Sequence, residues 1–345
     1  MARKKGYARK MKKIEPAVQS FLVNTPVAEA GSVTTSYIDL SQIASLLNRR
    51  FYRQGLNWAV SGMKIFSLAT ATITVSKLPE TWVMSNSWEK GFRTWQRMNS
   101  EAMEETESIR PRFLDFKIFA DAGHHDSGSG ANLLPQNVLG GTPLQPGEWE
   151  YSKFVVPDAP GGAVNNFEII ATGASYPGGG FSGLNAVSLI EGYASSRALP
   201  NIADPNVPDD VADANGPTPE NWMSAVFNEG TNQDDQVLDD MRTENDLAPY
   251  PFENAQVPGA PPGTVFTDTM YPNGANQFSG LQLHDFETIS GTTIGGITRV
   301  KGGMFPCGLI RIDHTPTETS ANIGIQIDLV PGSHRGYLCE PMTEM

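Results

Sequence analysis

Seven of the first thirteen residues are cations and none is an acid: Arg3, Lys4, Lys5, Arg9, Lys10, Lys12 and Lys13 in "MARKKGYARKMKK". Guanidinium and ammonium groups at this density neutralise phosphates by displacing condensed counterions, a binding mode that needs charge and reach but no fixed geometry. A second basic cluster follows in "NRRFYRQGLNW", where Arg49, Arg50 and Arg53 are interleaved with Phe51, Tyr52 and Trp58. Arg pairs with phosphate while an aromatic face accepts a base, so the cluster fits a sequence-tolerant surface for single strands. An Arg cluster that pairs with acids of a neighbouring subunit fits the same residues equally well.

The whole chain nonetheless carries a formal charge of −13. Residues 1–117 hold 18 Lys or Arg against 10 Asp or Glu, whereas residues 118–345 hold 7 against 28. That polarity implies one part facing a polyanion and another facing solvent. The acidic part includes residues 200–250, with twelve acids and one base, and leads into the Pro-rich "PGAPPG". A stretch of this composition in a β-rich chain reads as a surface insertion, at about 197–262, directed away from any polyanion.

Other chemistry finds little support. In "DDVADANGPTPE", taking Gly216 as the sixth residue of an EF-hand loop puts Asp213 and Asn215 at the third and fifth positions, but Val211 and Trp222 at the first and twelfth. The EF-hand fails there, and a looser Ca²⁺ site among these acids stays open. His124, His125 and Asp126 sit together in "DAGHHDSGSG" without metal-ligand spacing, which predicts a loop or turn. "YPGGGFSGLN" matches no phosphate-binding loop or nucleophile elbow and predicts a tight turn. Cys307 and Cys339 are too few for a disulfide framework; they could pair if the fold brought them together, but read first as two buried thiols. No catalytic residue, metal ligand or cofactor is assigned, and the chain reads as a non-enzyme.

The elements that would carry the basic residues are mostly strands. With 34 Gly and 25 Pro, long helices are disfavoured. Strand patterns occur in "SVTTSYIDL", "LNWAVSGMKIFSL", "TATITVSKL", "RFLDFKIFAD", "EWEYSKFVV", "NFEIIAT", "GTVFTDTM", "LQLHDFETI", "GLIRIDH" and "NIGIQIDLV". In the last, Ile323, Ile325, Ile327 and Leu329 share one face. With no βα repeat, these strands predict an all-β, antiparallel sandwich. One helix is expected in "SNSWEKGFRTWQRMNSEAMEETE", capped at Asn86, with Trp88, Phe92, Trp95, Met98 and Ala102 forming a core-facing stripe. A second is expected from Thr218 and Pro219. Residues 1–30 read as a basic arm that needs a ligand to order it, with residues 31–345 as the folded domain. No run reaches the roughly 18 apolar residues that span a bilayer, so no membrane is expected. Ala17–Val23 lacks the hydrophobic centre of a secretory signal.

"SYIDLSQIASLLNRRFYRQGLNW", "SKLPETWVMSNSWEKGFRTWQRMN" and "RPRFLDFKIFADAGHH" resemble capsid proteins of Rep-encoding circular single-stranded DNA viruses, especially circo-like ones. The resemblance covers about residues 1–125. It implies a single jelly roll that assembles into an icosahedral shell of about 60 copies or a multiple, a closed symmetric homo-oligomer. It further implies packaging of a circular single-stranded DNA genome, a virion location, a nuclear stage reached through a host import receptor, and a host cell-surface receptor. Genome binding and nuclear import then fall on Arg3, Lys4, Lys5, Arg9, Lys10, Lys12 and Lys13. Seven arm charges in about 60 copies neutralise on the order of 400 phosphates, fewer than a genome of that class holds, so inward-facing Arg49, Arg50 and Arg53 or small cations are expected to contribute. A β-sandwich enzyme or carbohydrate-binding module using acidic loop residues is the alternative, and converging carboxylates would distinguish it.

Overall fold

The computed structural model describes residues 16–104, 115–159, 163–197, 222–225, 280–290 and 297–344. The arm cations Arg3 to Lys13, the strand pattern "GTVFTDTM" and most of the acidic stretch lie outside them. Where alternate side chains can be buried on one face, the Ile-, Val- and Thr-rich segments pair as strands. They are β1 (Ser20–Asn24), β2 (Thr34–Asp39), β3 (Leu56–Phe66), β4 (Ala71–Lys77), β5 (Lys153–Ala159), β6 (Ala163–Ile170) and β7 (Asn185–Ser188), then β8 (Gln282–Ile289), β9 (Ile297–Phe305), β10 (Leu309–Pro316), β11 (Gly324–Leu329), β12 (Pro331–Gly332), β13 (Gly336–Tyr337) and β14 (Cys339–Pro341). The helices are α1 (Leu40–Leu47), α2 (Trp82–Ala102), α3 (Ala122–Ser127), α4 (Leu189–Arg197) and α5 (Trp222–Ala225).

The chain is mostly β-strand, in curled antiparallel sheets compatible with an all-β sandwich. One sheet runs β1-β11-β3-β9, with β14 paired to Leu56–Trp58 at the start of β3. The other runs β2-β10-β4-β8. Phe21, Ile65, Ile325 and Ile327 of the first sheet share one buried cluster with Ile38, Ile73, Val75 and Ile312 of the second. Each such side chain contributes about 1.5–3 kcal/mol by leaving water. As the alternation predicts, Ile323, Ile325, Ile327 and Leu329 are all buried.

Several expectations need correction. The segment read as an arm to residue 30 joins the sheet at Ser20, because β1 finds a five-residue register with β11 and buries Phe21 and Val23. The described part of "RFLDFKIFAD" forms no strand, and Phe119 makes only an isolated bridge to Ile170. β9 was not expected, since "ITRVKGGMF" carries two cations and two glycines. Its Gly302 is needed: a Cβ there would lie 2.3 Å from the Ser61 carbonyl oxygen at the irregular step in β3. Nor is every pair antiparallel, because β6 and β7 run parallel.

Between β4 and β8 the chain makes a long excursion holding α2 to α5 and the sheet β5-β6-β7. Thr81, not Asn86, caps α2 by accepting from the Met84 N–H, five residues earlier than predicted, because Val83 and Met84 extend the buried stripe. Trp88, Phe92, Trp95 and Met98 do pack into the core of the excursion. The second expected helix is described only as α5. Its Trp222 is buried against Phe154 at 4.5 Å between ring centres, and its Nε1 donates to the Ser188 carbonyl at 2.8 Å. The acidic stretch therefore turns inward at Trp222, while residues 198–221 and 226–262 lie outside the described residues. No helix among the described residues is long and apolar enough to cross a membrane.

Candidate nucleic-acid interface

Where the described chain begins, it meets the second basic cluster. The Val18 N–H donates to Asn48 Oδ1 at 3.1 Å, and the Tyr337 hydroxyl donates to the Val18 carbonyl at 2.6 Å. Asn48 also donates to the Tyr337 oxygen and to the Ala44 carbonyl, each at 2.8 Å, so it closes the C-terminus of α1 while holding the chain entry. Arg49 and Arg50 follow Asn48 directly, Arg53 comes after Phe51 and Tyr52, and all three arginines are exposed. The root of the basic segment and the Arg cluster thus share one end of the sandwich.

A fourth cation joins them that the sequence reading did not single out. Arg335, exposed and at φ 51°, ends the tight turn between β12 and β13, just before Gly336. One guanidinium nitrogen donates to the Phe51 carbonyl at 2.6 Å, and the Tyr52 hydroxyl donates to the Arg335 carbonyl at 2.9 Å. Burial raises the pKa of the Tyr52 hydroxyl, and Arg50 and Arg335 both oppose that rise, so both charges act at one point. Only its place in "SHRGY", a turn-forming stretch between short extended segments, could have marked Arg335 beforehand.

Arg53 looks elsewhere. Burial raises the Asp115 carboxyl, and Lys117, 2.7 Å away, opposes this most strongly, with Arg53 adding a smaller effect. Arg50 and Arg53 therefore act on different sides, Arg50 at the Tyr52–Arg335 corner and Arg53 towards Asp115.

The aromatic half of the prediction is overturned. Tyr52 and Trp58 are 1% and 0% exposed and pack on Tyr337 at 5.4 and 5.3 Å, so neither offers a face to a base. Phe51 is half-buried against Trp149, with Lys117 Nζ 5.6 Å from its ring centre and 4.3 Å from that of Trp149. Pattern alone does not separate these roles, because core and stacking aromatics have the same residue types. What this corner can do chemically is place Arg charge where phosphates could approach, with salt-sensitive affinity.

The histidines are core groups on α3 rather than loop residues. His124 Nδ1 accepts from the Ala120 N–H, so Nε2 carries the proton and donates to Asn132 Oδ1 at 2.7 Å. Its ring stacks on Tyr37 at 4.3 Å, and burial pushes its pKa down to about 4. His125 Nε2 lies 2.9 Å from Glu168 Oε2, under the glycine-rich turn, where a Cβ on Gly180 would strike the imidazole. Cys307 and Cys339 are free thiols. Among the described residues no group of three or more His, Cys, Asp or Glu could hold a metal ion. Compared with known proteins, the chain matches no family model, no curated protein and no solved structure.

Proposed function

We propose that this chain is a jelly-roll capsid subunit that self-assembles into an icosahedral shell and packages circular single-stranded DNA through its basic N-terminal arm. The observation that carries this reading is the order of its eight principal strands. Counted along the chain as β1, β2, β3, β4, β8, β9, β10 and β11, the first pairs with the eighth, the second with the seventh, the third with the sixth and the fourth with the fifth. A long four-stranded hairpin folded over and rolled up gives these four pairs, and the further pairs β11 with β3 and β10 with β4 close the roll into two sheets. The convergence of the chain entry with Arg49, Arg50 and Arg335 supports the genome-binding half. In this reading the arm also serves as the nuclear import signal, and the shell forms in the host nucleus.

The excursion between β4 and β8 is the part that would differ among such subunits, since it leaves all four hairpin pairs intact. Negative-stain microscopy of the purified full chain tests the proposal: uniform closed particles are expected, and a discrete small oligomer would overturn it. Removing residues 1–13 should leave particles that hold less nucleic acid. Unchanged nucleic-acid content would remove the role given to the arm.

A further inference from the structure

The outward face of the β1-β11-β3-β9 sheet is arranged in three registered rows. They are Asn24, Gly324, Phe66 and Ile297; then Leu22, Gln326, Lys64 and Arg299; then Ser20, Asp328, Gly62 and Lys301. Across the β3–β9 half, Lys64 stands directly opposite Arg299, a like-charge pair that costs stability in a sheet unless an anion lies nearby. Lys64 is 3.2 Å from Asp328, and Lys301 is 3.5 Å from Asp285. Arg299 is exposed and has no acidic partner among the described residues.

Across the β1–β11 half lies a groove of about 370 Å³, within the size range of small-ligand sites. Its far wall is made by Gln136, Asn137 and Leu139, in a segment tied to β1 by the Gln136 N–H donating to the Leu22 carbonyl at 2.7 Å. Leu139 closes one end by lying over Gly324, where a Cβ would clash at 2.1 Å. Half-buried Phe66 supplies an aromatic surface, and Gln136, Asn137 and Gln326 supply amides. Gln326 is held in place, its Nε2 donating to Ser20 Oγ at 3.0 Å and to Asp328 Oδ1 at 2.8 Å.

We infer that this sheet face binds single-stranded DNA, with one base in the Phe66–Gln326 groove and the adjoining phosphates on Lys64, Arg299 and Lys301. An aromatic surface with amides beside it accepts a base, and a row of cations one strand away accepts the backbone that continues from it. The occupant follows from charge complementarity: Asp328 already offsets Lys64 and Asp285 faces Lys301, whereas exposed Arg299, opposite Lys64, has no acidic partner among the described residues and is the charge that an anionic ligand would compensate. The inference rests on the genome-packaging reading and deepens it, since it adds base contact to what the arm does by charge alone. Ser20, at the groove, is five residues from the last residue outside the described chain, so an arm-bound strand is delivered next to it.

The test uses the full chain and labelled dT oligonucleotides of about 16 nucleotides, followed by fluorescence anisotropy across a salt series. An oligonucleotide of equal length with abasic sites should bind about tenfold more weakly, and Phe66→Leu should erase most of that difference. Arg299→Gln should reduce the salt slope by about one without removing the preference for bases. A 5-bromodeoxyuridine oligonucleotide should crosslink to peptides holding Phe66 or residues 136–139, a readout that needs no variant to fold. Equal binding of dT and abasic strands, or crosslinks confined to residues 1–15 and 49–53, would overturn the groove and leave the packaging reading standing. Loss of assembly with unchanged oligonucleotide affinity in Phe66→Leu and Arg299→Gln would also overturn it, assigning the face to a second copy of the chain. No oligonucleotide binding at low salt would instead sink the packaging reading itself.

Discussion

The sandwich and the excursion between β4 and β8 bury their residues in different ways. Inside the sandwich most contacts are aliphatic, made by residues such as Ile38, Ile73, Ile312, Ile325 and Ile327 from alternating positions of facing strands, with Tyr52, Trp58 and Tyr337 grouped as an aromatic cluster. The excursion is aromatic, with Trp88, Phe116, Phe154 and Trp222 at its centre. Where the two meet, at the end of β2, the contacts become polar. Asp39 caps α1 through the Ser41 and Gln42 N–H groups and accepts from Gln54 and from Trp149 Nε1 at 3.1 and 3.2 Å. Tyr37, two residues earlier, stacks on His124 and donates to Asp121 at 2.7 Å. An aliphatic core tolerates repacking at constant volume, whereas a buried polar network depends on every member. The junction should therefore be the least substitutable part of the molecule.

Deleting one large side chain on each side gives the strongest way to break this comparison. Trp222→Ala should cost about 3–5 kcal/mol, and Ile327→Ala about 2–5 kcal/mol. If the excursion and the sandwich unfold as separate units, calorimetry will show each substitution moving its own transition. A single transition moved by both would mean that the polar junction couples them into one.

The junction itself predicts a hidden pH response worth about 3 kcal/mol in each direction. Burial raises the Asp39 carboxyl to about 6, so its contribution is fully present below the ordinary carboxylate range and is lost as pH rises through 6. Burial lowers His124 to about 4, so its contribution is present above 6.5 and is lost as pH falls through 4. Between pH 6.5 and 4 the two changes oppose each other. Urea melts at pH 7 and pH 4 should show Asp39→Asn losing more stability on acidification than the wild type, and His124→Gln losing less or gaining. Parallel pH profiles in all three proteins would refute the pairing.

Smaller effects sharpen the picture on the surface of α2. Thr81→Ala should cost about 1 kcal/mol through loss of the N-cap, read from the melting midpoint of the excursion. Arg93→Ala, which breaks the exposed pair with Glu89, should change stability by less than about 0.5 kcal/mol. A cost above that of Thr81→Ala would show that the outer face of α2 is covered in the assembled protein.

Sandwich strands were readable from sequence because one buried face leaves a period of two, as in Ile323, Ile325, Ile327 and Leu329. β1 and β9 escaped notice for opposite reasons. β1 is short and flanked by Pro16 and Pro26, while β9 is an edge strand whose outward cations mask Val300 and Phe305. The α2 stripe was legible, but its start was not, since a cap is a local hydrogen bond and Thr81 and Asn86 are both good candidates. At the candidate site, the basic residues were visible as types. Which of them converge depends on the return of the chain at Arg335, some 280 residues later, and on cross-strand register. Neither leaves a local signal.

The attachment of β1 also has a mechanical side. Tension on the residues before Pro16 would run along the strand, at right angles to its hydrogen bonds with β11, so five residue pairs would share the load instead of opening one by one. The clasp of Asn48 and Tyr337 on Val18 would take the first part of that pull. A strand placed at the margin of its sheet, where pairing is weakest, is here loaded in shear, the direction in which a short ladder resists best.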